Sequence, residues 1–482
     1  MGKWSIIYGE YEGLESKAVA LLAARMAETL KETIPCLKAD CADERTSSDT
    51  VIVGTRDDNA FIGKKFREIA NGNEEGYNVC VEEQAGANIV YIAGNTARGV
   101  YYGTVDFLGE YLPTVAVSKA LNFNLDGFFG APFRDVMPAY MLESAPSVQH
   151  RAIWTWGHCI FNYKKFFENM SLLKLNEIVI WNDCMPVNAS EAVAYAHGLG
   201  IRVIFGFSWG WDVNYEKFEI ADCFKENKVR EFAGQVTAFY EKNILPTGAD
   251  GIYFQSFTET QSDTLRGIRI SEAVVKWVNG IASEVLEKYP SLEMQFGLHA
   301  TSVKDHLDDI AGVDERIKIV WEDCGSFPYH YSPAAVGDFA QTEEFTQKIL
   351  TLRGKKEKFG AVFKGMTTLY WDVFKHIENP FVLGANSEKT LNDVYSDRLP
   401  AWKYIQAEWM KNVKYAKKIT ESIARKTKGN TDIQLLVEYG AFEKEIFFPV
   451  ALAAKIMWQP SADVTELIEK TMLNPFVKFV NL

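Results

Sequence analysis

The chain has 482 residues, of which 47% are hydrophobic and 24% charged, and its formal net charge is −13. This length exceeds what one compact core of ordinary size holds, so we expect two or three domains of ~100–200 residues each. The acidic balance argues against nucleic-acid binding, which requires a basic surface, and gives no support for binding to anionic membranes.

The cysteines and the first residues bear on the cellular compartment. The seven cysteines are scattered and form neither a zinc-ligand pattern nor a disulfide framework, which indicates reduced thiols. The N-terminus lacks the apolar core of a signal peptide, and no run of ~18 apolar residues is present. We therefore expect a cytoplasmic protein without membrane partners, or a secreted one if a signal peptide was trimmed. The sequence is compatible with a homodimer as well as with a monomer.

Residues 1–125 are predicted to form a small α/β domain, and residues 126–150 a loop-rich linker. An amphipathic helix at about 15–33 follows a first strand, and residues 77–93 have the pattern of a β-hairpin. A Gly-rich stretch, 93–103, then opens a helix. It carries neither the dinucleotide fingerprint nor the Walker pattern, so we expect its glycines to allow close packing of the helix on the sheet.

From residue 151 strand-like and helix-like segments alternate, which is typical of a parallel sheet. Predicted strands are 151–156, 177–181, 202–207, the one beginning at 251, 293–298, 316–321, 366–371 and 381–384. Eight repeats favour a closed (β/α)₈ TIM barrel over 151–390, with an open doubly wound sheet as the alternative. Residues 391–482 are predicted to form a helical C-terminal region.

The segment Gly251–Glu259 is central to the functional interpretation. It has the pattern of a buried strand that ends in Thr258 and Glu259, and the carboxyl end of a barrel strand is where active sites lie. Glu259 could also cap the next helix or pair with Arg266. The other predicted strand ends contribute mainly carboxylates and tryptophans, a mixture that suits sugars: His158, Asn182, Asp183, Trp209, Trp211, Asp212, His299, Glu322, Asp323 and Asp372.

Structural roles compete with these assignments. Asp183 and Asp212 could cap the helices that follow them, and tryptophans at a rim are often simply packed. His158, Asp183 and His299 could bind a metal, but no local ligand pair such as His-x-x-x-His is present. We therefore expect neither a metal nor another cofactor.

Two segments resemble known families. The stretch from Ala93 to Leu108 is similar to the end of the small α/β domain that precedes the barrel in α-glucuronidases of glycoside hydrolase family 67. The segment Gln255-Ser-Phe-Thr-Glu259 resembles the fourth strand of those enzymes, where a glutamate is the general acid. More distantly, the layout is similar to hexosaminidases of families 20 and 84. The Asp-Glu pair of family 20 and the paired aspartates of family 84 are absent at this strand.

The resemblance and the residues together predict an exo-acting glycoside hydrolase that removes a terminal uronic acid or amino sugar from an oligosaccharide. Glu259 would be the general acid and Glu322 the base or nucleophile, assigned by position only, with Asp372 in reserve. The sugar would be held by Arg151, His158, Asn182, Asp183, Trp209, Trp321, Lys364, Tyr370 and Trp371. Alternatives are a non-catalytic sugar-binding protein and a metal-dependent hydrolase or isomerase on the same fold.

Overall fold

A computed structural model describes residues 4–42, 48–120, 133, 137–156, 159–182, 184–209, 219–299, 302–322, 339–354, 357–366, 380–440 and 442–480. The chain divides into two compact units. The first comprises Met1–Pro146 with Gly198–Gly200 and Thr465–Lys478. The second comprises Ser147–His197, Ile201–Val464 and Phe479–Leu482.

The first unit contains a six-stranded sheet in the order β2-β1-β3-β5-β4-β6. Its strands are β1 (Ser5–Tyr8), β2 (Cys36–Lys38), β3 (Thr50–Thr55), β4 (Tyr77–Gln84), β5 (Ala87–Gly94) and β6 (Tyr140–Ser144). Its helices include α1 (Gly13–Leu30), α2 (Ala60–Lys65), α3 (Ala97–Asp106) and α4 (Leu112–Ala120). The hairpin of β4 and β5 belongs to this sheet and not to the barrel.

The Gly-rich stretch has a packing role at the start of α3. A Cβ on Gly94 would lie closer than 3.0 Å to the backbone of α3, and one on Gly99 would meet the carbonyl oxygen of Gly76 equally closely. The Thr96 side chain caps the helix by accepting a hydrogen bond from the Gly99 amide. Close packing of helix on sheet, as the sequence predicted, is thus what these glycines permit.

The second unit is built around a closed barrel of eight parallel strands in the order β10-β13-β14-β15-β16-β7-β8-β9. The barrel strands are β7 (His150–Trp154), β8 (Glu177–Trp181), β9 (Arg202–Ser208), β10 (Gly251–Gln255), β13 (Glu293–Leu298), β14 (Lys318–Trp321), β15 (Phe359–Met366) and β16 (Thr431–Val437). Two short strands, β11 (Thr264–Leu265) and β12 (Ile268–Arg269), pair in the segment after β10. A TIM barrel with a preceding α/β domain is therefore confirmed.

Helices connect the barrel strands and cover them. They are α5 (Tyr163–Leu172), α6 (Ala189–His197), α7 (Glu226–Phe239), α8 (Ile270–Lys288), α9 (Leu307–Ile310), α10 (Phe339–Leu350), α11 (Glu388–Thr427) and α12 (Phe448–Trp458). Two further elements are α13 (Val464–Leu473) and β18 (Val477–Lys478), and β17 spans Ile446–Phe447. In the described part of the chain, no helix combines the length and the apolar composition that a membrane crossing requires.

Two predicted strands are wrong. The seventh strand is β15 (Phe359–Met366), which shares only Met366 with the predicted 366–371, whose other residues lie outside the described part of the chain. The eighth is β16, far beyond 381–384. Phe381 forms only an isolated bridge with Pro186. Because β16 closes the barrel against β7, the barrel continues past residue 390, and α11 is the connection between its last two strands rather than part of a separate region.

The barrel interior is charged at the amino ends of the strands and apolar and aromatic in its middle. At the amino ends of the strands, Glu177, Arg202, Glu293, Lys318 and Asp432 form a network of ion pairs. A middle cluster is apolar and aromatic, and it includes Val179, Ile204, Val320, Val362 and Leu436. This layering follows from the period of two along each strand, which sends alternate residues inward.

Candidate active site at the carboxyl ends of the barrel strands

Four neighbouring strands place polar side chains in the mouth of the barrel. Tyr253 and Gln255 alternate with outward-facing residues on β10, and His299 follows β13 directly. Glu322 follows β14, and Lys364 lies on β15. All five are buried. Because the carboxyl ends of parallel strands meet at one end of the barrel, residues far apart in sequence come together here.

Glu322 is the centre of this cluster. Its carboxylate accepts hydrogen bonds from the Tyr253 hydroxyl at 2.5 Å and from the Gln255 amide. His299 Nε2 lies 2.6 Å from Oε2 of Glu322, and Lys364 Nζ lies 3.7 Å from the same oxygen. Burial would raise the pKa of Glu322, but His299, Lys364 and the Tyr253 hydrogen bond outweigh it and hold the pKa below its usual value. Glu322 is therefore ionised at neutral pH.

Gly297 provides the space for this carboxylate. It lies on β13 between Phe296 and Leu298, and a Cβ at this position would fall closer than 3.0 Å to both Oε1 of Glu322 and the Tyr253 hydroxyl. No other residue type fits here without displacing one of the two. The glycine is thus a requirement of the cluster.

Glu259 lies beside the cluster and is more accessible. Its side chain is 33% exposed, whereas that of Glu322 is 0% exposed. Oε2 of Glu259 is 3.8 Å from His299 Nε2, the nitrogen that also contacts Glu322. The hydroxyl of the neighbouring Thr258 accepts a hydrogen bond from the backbone amide of His299, which holds the Thr258 side chain in place. Two carboxyl groups that approach one imidazole nitrogen lie close enough to flank a single glycosidic bond, for which separations of about 5–9.5 Å are typical.

Among the described residues, buried aromatic side chains pack beside this cluster. Trp154 stacks on Trp156 with ring centroids 6.2 Å apart, and it also contacts Trp181 and Tyr253. The indole N–H of Trp154 is buried and has no hydrogen-bond partner among the described residues. Trp156 has a φ of 40°, a left-handed conformation that is uncommon for a bulky residue and often occurs at functional sites.

Three residues predicted to hold the sugar lie elsewhere. Arg151 is at the amino end of β7, where its guanidinium donates to the carbonyls of Val148, Gln149 and Lys174 and lies over the Trp458 ring. Trp209 is fully buried and stacks on Phe254, which faces away from the barrel interior. The assignment of both to sugar binding is corrected, because neither side chain reaches the mouth.

The assignment of Trp321 to sugar binding is also wrong, because its side chain does not reach the mouth either. On β14, Val320 belongs to the interior cluster and Glu322 to the mouth, so the residue between them must point outward. Its ring packs on Phe345 of α10. His158, Asp183, Tyr370, Trp371 and Asp372 lie outside the described residues, as do Trp211, Asp212 and Asp323. Asn182 is buried and lines a pocket at the carboxyl end of β8.

Several buried polar residues that follow or lie on the barrel strands, or that pack against the segments after them, were not predicted. Tyr253 and Gln255 could have been found from alternation along the strand that leads to Glu259. Glu438, directly after β16, was missed because that strand was not recognised; it forms an ion pair with Arg398 at 2.6 Å. Glu443 was also not predicted. Its Oε1 atom accepts a hydrogen bond from the backbone amide of Phe161, and burial raises the pKa of its carboxyl group to about 7.

One group of described residues has the spacing of metal ligands: His150, Glu177, Glu293 and Asp432. It lies at the amino end of the barrel, away from the mouth. Lys318 already pairs with Glu293 and Asp432, and Arg202 pairs with Glu177 and Glu293. The two side-chain cations thus fill the positions that would neutralise these carboxylates.

The comparisons with known proteins add similarities of low score. No protein-family model matches the chain, and no curated protein matches it. A solved structure described as that of CpGH84D is 11% identical with a TM-score of 0.44, covering 98% of this chain and 83% of its own. A GH20 exo β-N-acetylglucosaminidase from Vibrio harveyi is 9% identical with a TM-score of 0.48, covering 98% and 73%. Similarities of this size carry no argument about activity, and neither structure is described as a family 67 enzyme.

Proposed function

We propose that the protein is a glycoside hydrolase that acts on the terminal sugar of an oligosaccharide. The observation that carries this proposal is the accessible carboxyl group of Glu259 beside His299 at the carboxyl ends of the barrel strands, where the buried carboxylate of Glu322 holds the His299 ring. One carboxyl group is accessible and the other is buried and ionised. Hydrolysis of a glycosidic bond requires a carboxyl group that acts as acid and a second one that acts as base or nucleophile, and each is assigned below.

Glu259 is assigned as the general acid. It is the accessible carboxyl group of the pair, and neither Thr258 nor Gln255 can donate a proton usefully. Its neighbour His299 offers a nitrogen that can exchange a proton with it through one intervening water or a small movement. General acid catalysis would protonate the leaving oxygen as the bond to the terminal sugar breaks.

Glu322 is assigned a positioning role rather than the role of nucleophile. Its carboxylate oxygens are already occupied by Tyr253, Gln255 and His299, and the side chain has no exposed surface. A nucleophile must reach the anomeric carbon, which this burial prevents. Glu322 instead orients the His299 ring through the contact with its Nε2 nitrogen. Asp372, which the sequence offers as a further carboxylate and which lies outside the described residues, is then proposed as base or nucleophile.

The sugar is assigned as neutral rather than a uronic acid. From the sequence, Lys364 was predicted to bind the carboxylate of a uronic acid substrate. In the structure its ammonium group is buried, lies 3.7 Å from Glu322 and faces the Trp154 ring at 5.8 Å. Since this cation already balances a buried carboxylate, recruiting it to a substrate would leave Glu322 uncompensated. The α-glucuronidase-like option is therefore less favoured than an amino-sugar or other neutral glycoside.

A non-catalytic sugar-binding protein is the second candidate. It is favoured by one observation, the complete hydrogen-bonding of Glu322, which leaves Glu259 as the accessible carboxyl group among the described residues at this cluster. Such a protein would bind an oligosaccharide in the same mouth without cleaving it.

A panel of nitrophenyl glycosides separates the two candidates. Neutral, N-acetylated and uronic acid glycosides of both anomers are assayed with the wild-type protein, Glu259→Gln and the control Glu287→Gln, which changes an exposed carboxylate on α8. The proposal predicts release of nitrophenol from a neutral or N-acetylated sugar by wild type and control. No release from any glycoside, together with oligosaccharide binding unchanged in Glu259→Gln, would support the binding protein.

A further inference from the structure

The carboxyl ends of β1 and β3 lie side by side in the sheet of the first unit, where the two strands pair in parallel. From β1, α1 leads to β2 on one side of this pair. From β3, the chain leads through α2 to β4 and β5 on the other side. Where neighbouring connections leave a parallel sheet in opposite directions, a crevice opens between the loops that follow the strands. Side chains from both loops therefore come together at this crevice.

Two carboxyl groups, those of Glu15 and Asp58, form a pair at the crevice. Glu15 lies in the first turn of α1 and is only 2% exposed. Asp58 lies in the loop after β3, within hydrogen-bonding reach of the Glu15 carboxyl group. A Cβ on Gly54 would lie 2.7 Å from Oδ1 of Asp58 and 3.3 Å from Oε1 of Glu15, so both groups border this glycine. Because two like charges in contact and away from water repel each other strongly, the carboxyl pair retains one proton.

The hydrogen bonds around the carboxyl pair decide which member keeps the proton. Oδ1 of Asp58 accepts from the Thr55 amide at 2.8 Å, and Oδ2 accepts from the Thr55 hydroxyl at 2.5 Å. Oε1 of Glu15 accepts from the Glu10 amide at 2.9 Å. Burial, followed by the charge of Asp58, raises the pKa of Glu15 to about 8. Glu15 is therefore protonated at neutral pH and donates to Asp58.

The other ionisable side chains around the carboxyl pair are exposed to water or already paired. The exposed ones on the two loops are Glu10, Tyr11, Glu12, Arg56 and Asp57. Glu10 also pairs with Lys38 of β2 at 2.9 Å, and on α3, which packs on α1, Arg98 pairs with Glu75 at 2.9 Å. Charges that face water are screened by solvent and salt. The proton is thus held mainly by the contact between the two carboxyl groups.

The carboxyl pair also fixes the start of α1. Glu12, the N-cap residue, makes no side-chain hydrogen bond to the helix. Glu15 instead reaches back to the Glu10 amide and across to Asp58, which is bound to Thr55. Loss of the proton would remove the hydrogen bond between the two carboxyl groups and place two buried charges in contact. Movement of the start of α1 away from the loop after β3 would relieve that repulsion.

We propose that the carboxyl pair is a pH-sensitive switch, which fastens the start of α1 to the loop after β3 while it holds one proton and releases it when that proton is lost. The released segment is residues 9–17, from the end of β1 through the first turn of α1. In the open form Glu15 faces water, where its carboxyl group has its ordinary pKa of 4.5. Since the closed form keeps the proton up to about pH 8, opening becomes more favourable as the pH rises through this range and levels off above it.

Hydrogen exchange followed by peptide mass spectrometry tests the switch between pH 5 and pH 9.5. The amides of residues 9–17 report on the closed form, because that of Glu10 donates to Glu15 and that of Ser16 to the Glu12 carbonyl. Each exchange rate is divided by the intrinsic rate at the same pH, which gives an opening constant. The strand β5 of the same sheet is the reference. Glu15→Gln keeps the shape and removes the charge, and Glu28→Gln changes an exposed carboxylate of the same helix as the matched control.

In the wild-type protein and in Glu28→Gln, the opening constant of residues 9–17 should rise about tenfold for each pH unit between pH 5 and pH 8 and stay constant above. At pH 9 this constant should exceed that of β5 by roughly tenfold or more, because the opening is local. In Glu15→Gln it should not depend on pH. If Glu15→Gln does not fold, Asp58→Asn replaces it. Without the neighbouring charge, the rise should end at a lower pH than in the wild type.

The proposal is overturned if the opening constant of residues 9–17 is the same at pH 5 and pH 8, or if its rise persists in Glu15→Gln. It is also overturned if the rise in Asp58→Asn ends at the same pH as in the wild type. Equal opening constants for residues 9–17 and β5 at every pH would overturn it too, because the pair would then act only on unfolding of the whole unit. No readout uses hydrolysis, so a protein that cleaves no glycoside can still confirm the switch.

Discussion

Replacing Gly297 by alanine tests the packing of the Glu322 cluster most sharply. The new Cβ would lie closer than 3.0 Å to both Glu322 and Tyr253, which already contact each other through a hydrogen bond. One of them must move, and both are fully buried. Overpacking costs about 1–3 kcal/mol, and a lost hydrogen bond to a charged group costs about 1.5–3 kcal/mol more. We therefore expect a loss of about 2.5–6 kcal/mol in the free energy of unfolding.

The measurement is urea unfolding followed by tryptophan fluorescence, which gives the free energy from the midpoint and slope. Gly360→Ala on β15 is the matched control. Its Cβ would meet Val320 at 3.0 Å, an apolar contact that small shifts can relieve. Gly360→Ala should therefore lower the free energy of unfolding by clearly less than Gly297→Ala does. Equal losses for the two variants would refute the idea that Glu322 and Tyr253 fill the space beside Gly297.

Two further predictions concern buried charge. Burial raises the Glu443 pKa to about 7, above its unfolded value near 4.5, so its contribution to stability is complete below pH ~4.5 and is lost as pH rises through 7. Glu443→Gln should therefore raise the free energy of unfolding by up to about 3 kcal/mol at pH 8 and leave it unchanged at pH 4.5. Equal effects of the substitution in urea unfolding at the two pH values would contradict this. Lys318→Met should destabilise by about 3–5 kcal/mol, because Glu293 and Asp432 lose their shared cation, whereas Lys348→Met on the surface should change stability by less than about 0.5 kcal/mol.

The barrel could be predicted from sequence wherever a strand is uniformly apolar. Strands such as β8 and β10 carry runs of β-branched and aromatic residues between turn signals, and their positions were predicted closely. β15 and β16 were missed because their interior faces carry polar residues. Lys364 faces the mouth, and Asp432 and Gln434 contribute to the hydrogen-bonded network at the other end. A helix of 40 residues containing Pro400 also separates the two strands, which hid the last repeat.

The site was predictable only in part for a related reason. Carboxylates that follow apolar strands stand out in sequence, so Glu259 and Glu322 were both selected. Which of them is accessible depends on Tyr253, Gln255 and His299 from two other strands, and one sequence does not show how those pack. Alternation could have excluded Trp321, since it neighbours the inward-facing Glu322 on the same strand.

The central claim is that Glu259 protonates the leaving group of a glycoside. The most direct measurement compares Glu259→Gln with wild type on two glycosides of the same sugar, one with an activated aryl leaving group and one with a sugar leaving group. The claim predicts a loss of ~10²–10⁴-fold for the sugar leaving group and a much smaller loss for the aryl group, which departs without protonation. Equal losses on both substrates, or none on either, would contradict it.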